Sequence, residues 1–295
     1  MEKIISGKQI AQSIREELAR QVTDTVSAGT RAPCLAVVLV GSDPASVSYV
    51  TGKHRACKEV GIISRDIHLE ELTSQDKVLE IVHSLNQEDE VDGILVQLPL
   101  PSHIDDQQIL LAISPDKDVD GFHPVSLGRL MAGVPGFLPC TPNGIVELLL
   151  RSDIEISGKH VCIVGRSNIV GKPLINLLLR KGTRGDATVT VCHSRSQDLA
   201  QYTRQADILV AAVGRARMIT PDMVKEGAVV IDVGVNRIDD ATRKRGYRLV
   251  GDVDYDGVFE KVERITPVPG GVGPMTIAML MYNTVASYKR TLGAE

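Results

Sequence analysis

Apolar and polar residues follow two alternating rhythms along this chain. Short unbroken apolar runs, the pattern of strands buried on both faces, alternate with stretches whose apolar residues recur every three or four positions, the pattern of amphipathic helices. Residues 35–40 form the first run and end at Gly41. Asp43 then offers a helix N-cap, Pro44 suits the first helical position, and Gly61 suits the far end. Residues 63–69 predict a second strand. Residues 73–86 predict a helix, with Val78, Ile81, Val82 and Leu85 on one face, and residues 93–98 predict a third strand. Such a βαβαβ order implies a parallel sheet covered by helices. The prolines and glycines of residues 119–142 interrupt the rhythm before a helix at 143–150. A second alternating series follows, with strands at 160–164, 187–192, 207–213 and 229–233 and a further short one at 265–267. The last helix is expected at 275–290.

Two α/β lobes are therefore expected, with a cleft between them. The 295 residues, 43% of them hydrophobic, suffice for two cores. A net charge of −4 and 3% aromatic content argue against a nucleic-acid binder, which needs cationic and stacking surfaces. The N-terminal residues lack the apolar core of a secretion signal, and no run is long enough to span a membrane. The five cysteines are widely spaced, without a CxxC pair, and read as buried thiols of a reducing cytosol rather than metal ligands.

Chemistry enters the second lobe at Gly165-Arg166-Ser167-Asn168-Ile169-Val170-Gly171, between the 160–164 strand and a helix opened by Pro173. A strand, a glycine turn and a helix N-terminus present free backbone N–H groups to a pyrophosphate. Ser167 replaces the middle glycine of the common fingerprint and the last glycine comes one residue late. The loop alone fits a ligand-free βα turn equally well. The next strand alters the balance. It ends in His193-Ser194-Arg195, without the acid that accepts from an NAD ribose. Ser194, Arg195 and Arg166 suit a ribose phosphate, which favours NADP. Later strands end in Ala211-Ala212-Val213-Gly214 and Asp232-Val233-Gly234, small residues that let a ligand approach the backbone.

In the first lobe, Tyr49 and Lys53 share one helix face, a spacing equally common on solvated helices. Gln97 is a polar residue at the end of an apolar strand, and Asp120 precedes Gly121 as turn-forming aspartates often do.

Together, Tyr49-Val50-Thr51-Gly52-Lys53, Leu95-Val96-Gln97-Leu98-Pro99-Leu100-Pro101, Lys117-Asp118-Val119-Asp120-Gly121, the Gly165–Pro173 loop and Pro267-Val268-Pro269-Gly270-Gly271-Val272-Gly273-Pro274-Met275-Thr276 resemble the bifunctional methylenetetrahydrofolate dehydrogenase/cyclohydrolase family. The likeness spans essentially the whole chain. Arg55 stands where the family often has lysine, and the Lys181–Asp186 stretch is longer than usual. The resemblance implies NADP-dependent oxidation of methylenetetrahydrofolate and hydrolysis of the methenyl product to formyltetrahydrofolate, within the one-carbon metabolism that feeds purine biosynthesis. It implies a catalytic lobe over residues 1–139, joined by the C-terminal helix at 274–295, and a Rossmann-like NADP lobe over 140–273. It makes Lys53 the catalytic residue, Gln97 its companion, Tyr49 a wall for the folate and Asp120 the pterin anchor. Leu98, Pro269, Gly270 and Gly271 join the folate site. Gly165, Arg166, Ser167, Ile169, Gly171, Ser194, Arg195, Gly214 and Val235 form the cofactor site. It implies no metal, no nucleic acid, no membrane, and a cytosolic homodimer. A monofunctional dehydrogenase and a shikimate-type two-lobed dehydrogenase are the alternatives.

Overall fold

A computed structural model describes residues 3–243 and 246–293, without the side chains of Ala45 and Ser48. The outermost residues of the expected lobes, 1–2 and 294–295, lie outside this description. In chain order the main elements are α1 (Gly7–Ser27), β1 (Cys34–Val40), α2 (Pro44–Val60), β2 (Ile63–Leu69), α3 (Gln75–Gln87), β3 (Gly93–Val96), α4 (Asp106–Ala112), α5 (Pro124–Ala132), α6 (Cys140–Arg151), β4 (His160–Val164), α7 (Gly171–Leu178), β5 (Thr188–Cys192), α8 (Leu199–Thr203), β6 (Ile208–Ala211), β7 (Val229–Asp232), β8 (Asn236–Asp239), β9 (Tyr247–Val250), α9 (Tyr255–Phe259), β10 (Arg264–Ile265) and α10 (Val272–Thr291).

The chain divides into two compact units. One holds Gln12–Cys140 and Ile277–Glu295; the other holds Met1–Ala11 and Thr141–Thr276. In the first unit the three strands lie in the order β2-β1-β3, all parallel. β1 is buried along its whole length, as a central parallel strand requires. Val78, Val82 and Leu85 of α3 pack on this sheet together with Ala36, Val38 and Ile94. The Asp43 carboxylate caps α2 by accepting from Ser46 N at 2.8 Å, and Gly61 closes it in the left-handed region at φ 87°. β3 ends two residues before the apolar run does, at a cis Leu98–Pro99 bond. Gln97 N still donates to Val38 O, but proline has no N–H to continue the ladder.

Within residues 119–142, where the sequence pattern implies only a break, the structure contains α5. His123 Nδ1 accepts from Val125 N, Pro124 occupies the first turn and Gly133 closes the helix at φ 71°. Those signals bracket a helix. The end of α10 also belongs to this unit. Asn283 is buried and donates to Val119 O at 2.8 Å and Leu138 O at 3.0 Å. The Tyr288 hydroxyl donates to Arg31 O, with the whole side chain inaccessible.

The second unit carries a five-stranded parallel sheet in the order β10-β7-β6-β4-β5. β4, β6 and β7 are almost wholly buried. A separate antiparallel pair, β8–β9, extends from the same unit. The short strand expected at 265–267 lies earlier, as β10 at Arg264–Ile265, parallel to β7.

Candidate active site

Lys53 lies one helical turn beyond Tyr49 on α2. The Tyr49 ring is exposed, whereas only 7% of Lys53 is accessible. The lysine amine is satisfied inside the unit: Nζ donates to Gln97 Oε1 at 2.9 Å. Gln97 is held from its other end, since Nε2 donates to Leu98 O at 2.6 Å. The amide is therefore fixed with its oxygen toward the lysine. Asp120 acts on Lys53 electrostatically and is joined by Cys140, whose backbone N donates to Asp120 O at 3.3 Å.

Burial lowers the Lys53 pKa, with the Asp120 charge opposing it. Burial likewise raises the Asp120 pKa, opposed by Lys53. Desolvation thus outweighs mutual attraction for both groups, and each is drawn toward its neutral form. Burial, helped by Asp120, pushes the Cys140 thiol far above its ordinary range, so Cys140 is a poor nucleophile. Lys53, Gln97 and Asp120 are thus brought together, with Tyr49 on the adjoining helix turn. Cys140 escapes a sequence reading, because nothing in its spacing links it to them. All five cysteines are buried and free.

Gly121 has φ 78°, and a Cβ there would lie 2.6 Å from Pro139 N. The turn after Asp120 can therefore be built only around a glycine. Asn283 fastens the carbonyls of Val119 and Leu138 on either side of this turn.

Pro269, Gly270 and Gly271 fall in the other unit, in a turn after a cis Val268–Pro269 bond. Gly270 O accepts from Lys8 N at 3.0 Å. The glycine loop between β4 and α7 also belongs there. A Cβ on Gly165 would lie 2.2 Å from Ala212 O, and one on Gly171 would lie 2.3 Å from Gly165 O. Both glycines therefore serve close backbone approach. Ser167 Oγ accepts from Val170 N at 3.1 Å, so the residue replacing the usual middle glycine braces the turn. Val164 pairs with Cys192, which directs Arg166, Ser194 and Arg195 out of the carboxyl ends of neighbouring strands. All three are exposed, as are Ile169 and Val235. Gly214 follows β6 at φ 67°, with open space where a Cβ would stand. At Gly234 the small residue serves another purpose than ligand approach: a Cβ there would lie 2.1 Å from the Asp252 carboxylate.

The cradle fits a dinucleotide. Its glycines clear a path for backbone, and the exposed Arg166 and Arg195 follow the carboxyl ends of β4 and β5, the end at which doubly wound sheets bind dinucleotides. Among the described residues no cluster of three His, Cys, Asp or Glu stands ready for a metal, and no helix is long and apolar enough to cross a membrane.

Comparison with known proteins places this geometry in context. Residues 5–120 match the tetrahydrofolate dehydrogenase/cyclohydrolase catalytic domain, and residues 139–292 match the NAD(P)-binding domain of the same family. The bifunctional protein FolD of Chlorobium luteolum is 56% identical over 98% of this chain and 99% of its own. The bifunctional FolD structure from Campylobacter jejuni is 49% identical, with a TM-score of 0.91, and the match covers 97% of this chain and 98% of that one. The Trypanosoma brucei methylenetetrahydrofolate dehydrogenase-cyclohydrolase, solved with NADP and an inhibitor, is 38% identical with a TM-score of 0.92, covering 98% of each chain. Likeness to the shikimate 5-dehydrogenase of Thermus thermophilus, at 15% identity and a TM-score of 0.50, is one of fold alone.

Proposed function

The chain belongs to the tetrahydrofolate dehydrogenase/cyclohydrolase family, and from that premise we propose that it oxidises 5,10-methylenetetrahydrofolate with NADP and hydrolyses the methenyl product to 10-formyltetrahydrofolate. The observation that carries this proposal is the buried Lys53 amine, held by Gln97 and facing Asp120.

The two steps ask different things of the protein. When bound, NADP supplies the hydride acceptor. The folate carbon that loses hydride lies between two nitrogens whose lone pairs stabilise the cation, so the residues have mainly to position it. Tyr49 offers a flat face for an aromatic ring, and the Asp120 oxygens accept from adjacent pterin N–H donors. Hydrolysis adds water to the methenyl carbon, and one water proton must leave. Lys53, drawn toward its neutral form by burial, accepts that proton at Nζ while Gln97 Oε1 fixes its direction. As the added hydroxyl becomes the formyl carbonyl and gives up its proton, the bond from that carbon to N5 breaks; N5 keeps the electron pair and takes up a proton, and the formyl group stays on N10.

Gly165, Ser167, Ile169, Gly171, Gly214 and Val235 are assigned to the dinucleotide, and Leu98, Pro269, Gly270 and Gly271 to the folate. Arg166, Ser194 and Arg195 make NADP the preferred cofactor over NAD. A cytosolic homodimer without nucleic-acid or membrane partners completes the proposal, and its subunit number is read by light scattering. The decisive experiment follows NADP-linked methylenetetrahydrofolate oxidation and methenyl decay in one preparation. Absence of the second activity returns the chain to the monofunctional alternative.

A further inference from the structure

Two buried carboxylates in the dinucleotide unit have no part in the chemistry above. Asp232 ends β7, and Asp252 follows β9; their exposures are 2% and 0%. Asp252 collects four donors on its two oxygens. Oδ2 accepts from Val213 N at 2.6 Å and Gly214 N at 3.0 Å, while Oδ1 accepts from Arg215 N at 2.8 Å and Asn236 Nδ2 at 2.9 Å. The first three belong to the loop leaving the carboxyl end of β6, and Asn236 stands two residues beyond the Gly234 that follows β7. Asp232 in turn holds the Asp252 segment. Its Oδ1 accepts from Asp252 N at 2.8 Å and Gly234 N at 3.1 Å, and its Oδ2 accepts from Val253 N at 2.9 Å.

The glycines around the pair are there for the carboxylates. A Cβ on Gly251 would lie 1.8 Å from Asp232 Oδ2, and one on Gly234 would lie 2.1 Å from Asp252 Oδ1. The two loops tied to Asp252 emerge from the strand ends where a doubly wound sheet binds its dinucleotide. They carry Gly214 and Val235, both assigned to the cofactor. Asp252 is sealed beneath them and out of reach of any ligand.

We propose that Asp252 is a positioning residue for the dinucleotide: its buried carboxylate ties the Val213–Arg215 loop to Asn236 and so sets the cofactor affinity without touching the cofactor. The inference rests on the dinucleotide site proposed above. A carboxylate is suited to the task because it is purely an acceptor, and one group can gather several N–H donors from two loops. Asparagine would turn a donor amide toward some of the same N–H groups.

The test is Asp252→Asn in the full-length enzyme, with NADPH binding read by fluorescence titration and methenyl hydrolysis measured without cofactor. We expect NADPH affinity to fall by about tenfold or more, the scale of one or two lost charge-assisted hydrogen bonds. The NADP KM should rise in parallel and hydrolysis should persist. Unchanged NADPH binding overturns the proposal, as does a loss of binding and hydrolysis in equal proportion, which a merely structural role would give. If circular dichroism shows Asp252→Asn to be unfolded, Asn236→Ala decides, since it removes one donor and leaves the carboxylate in place. Weaker NADPH binding with hydrolysis intact supports the proposal; unaltered binding overturns it. An unmodified chain that binds NADPH but oxidises no methylenetetrahydrofolate defeats the proposed function and leaves the Asp252 result standing. An unmodified chain that binds no NADPH defeats both.

Discussion

Lys53→Met isolates the proton-transfer step. Methionine keeps most of the length and apolar stem of the buried lysine, so packing is conserved, but it accepts no proton. Loss of a positioned general base typically slows a reaction by about 10²–10⁴-fold, equivalent to about 3–5 kcal/mol in the barrier. The stability cost is much smaller. The variant leaves Gln97 Oε1 without the donor that now stands 2.9 Å away, in a position that is only half-buried. A gain offsets this. The Lys53 pKa in the fold lies below its usual 10.5 because burial disfavours the charged amine. Between the lowered pKa and 10.5 the unfolded chain binds the extra proton. The lysine therefore penalises the fold fully below its folded pKa, and the penalty fades as pH rises toward 10.5. Methionine removes it. We expect methenyl hydrolysis to fall to background, NADPH binding to persist, and the thermal midpoint to change little. In the unmodified enzyme, hydrolysis should rise with pH as Lys53 deprotonates, and this rise should vanish in the variant. The assay is methenyl decay against the uncatalysed rate at several pH values. A Lys53→Met protein that hydrolyses the substrate at the unmodified rate would refute Lys53 as the base.

Gln97→Ala leaves Lys53 without its hydrogen-bond partner and should slow hydrolysis by about tenfold, the scale of one such bond, with less effect on the NADP KM. Replacing Arg166 and Arg195 with alanine should raise the NADP KM far more than the NAD KM, with each lost phosphate contact worth about 1.5–3 kcal/mol; a parallel rise in both constants would count against a phosphate role. Gly171→Ala places a Cβ 2.3 Å from Gly165 O, too close for any rotamer to relieve. It should destabilise the fold by about 1–3 kcal/mol, read by thermal melting, and weaken NADPH binding.

Much of the framework could be read from the chain because its signals are local. β2 and β4 occupy the same residues in the structure as in the apolar pattern. The ends of α2 are fixed by Asp43, Pro44 and Gly61, all visible as letters. Other elements carry local signals as well. Helix α1 buries Ala11, Ile14, Leu18 and Val22 at helical spacing, and Ser6 Oγ lies 3.4 Å from Gln9 N as a start signal. Helix α5 was hidden by the Pro124 and Gly133 that in fact bound it. The β8–β9 pair is short and mostly half-exposed or exposed, so it lacks an apolar run. For the candidate site, Lys53, Gln97 and Asp120 could be named but their association could not be derived from spacing. Cys140 at Asp120 and Asp252 beneath Gly214 are products of tertiary folding, with no local pattern to reveal them.

The tie from Asn283 to Val119 and Leu138 has a consequence for how the enzyme is made. The unit containing Lys53 comprises Gln12–Cys140 and Ile277–Glu295, whereas the other unit runs no further than Thr276. On the ribosome, residues 12–140 emerge long before the amide that fastens the Asp120 turn. The nascent chain therefore waits for α10 before the lysine-bearing site can be finished. Premature termination before Asn283 would spare every residue assigned to catalysis and still leave that turn unfastened.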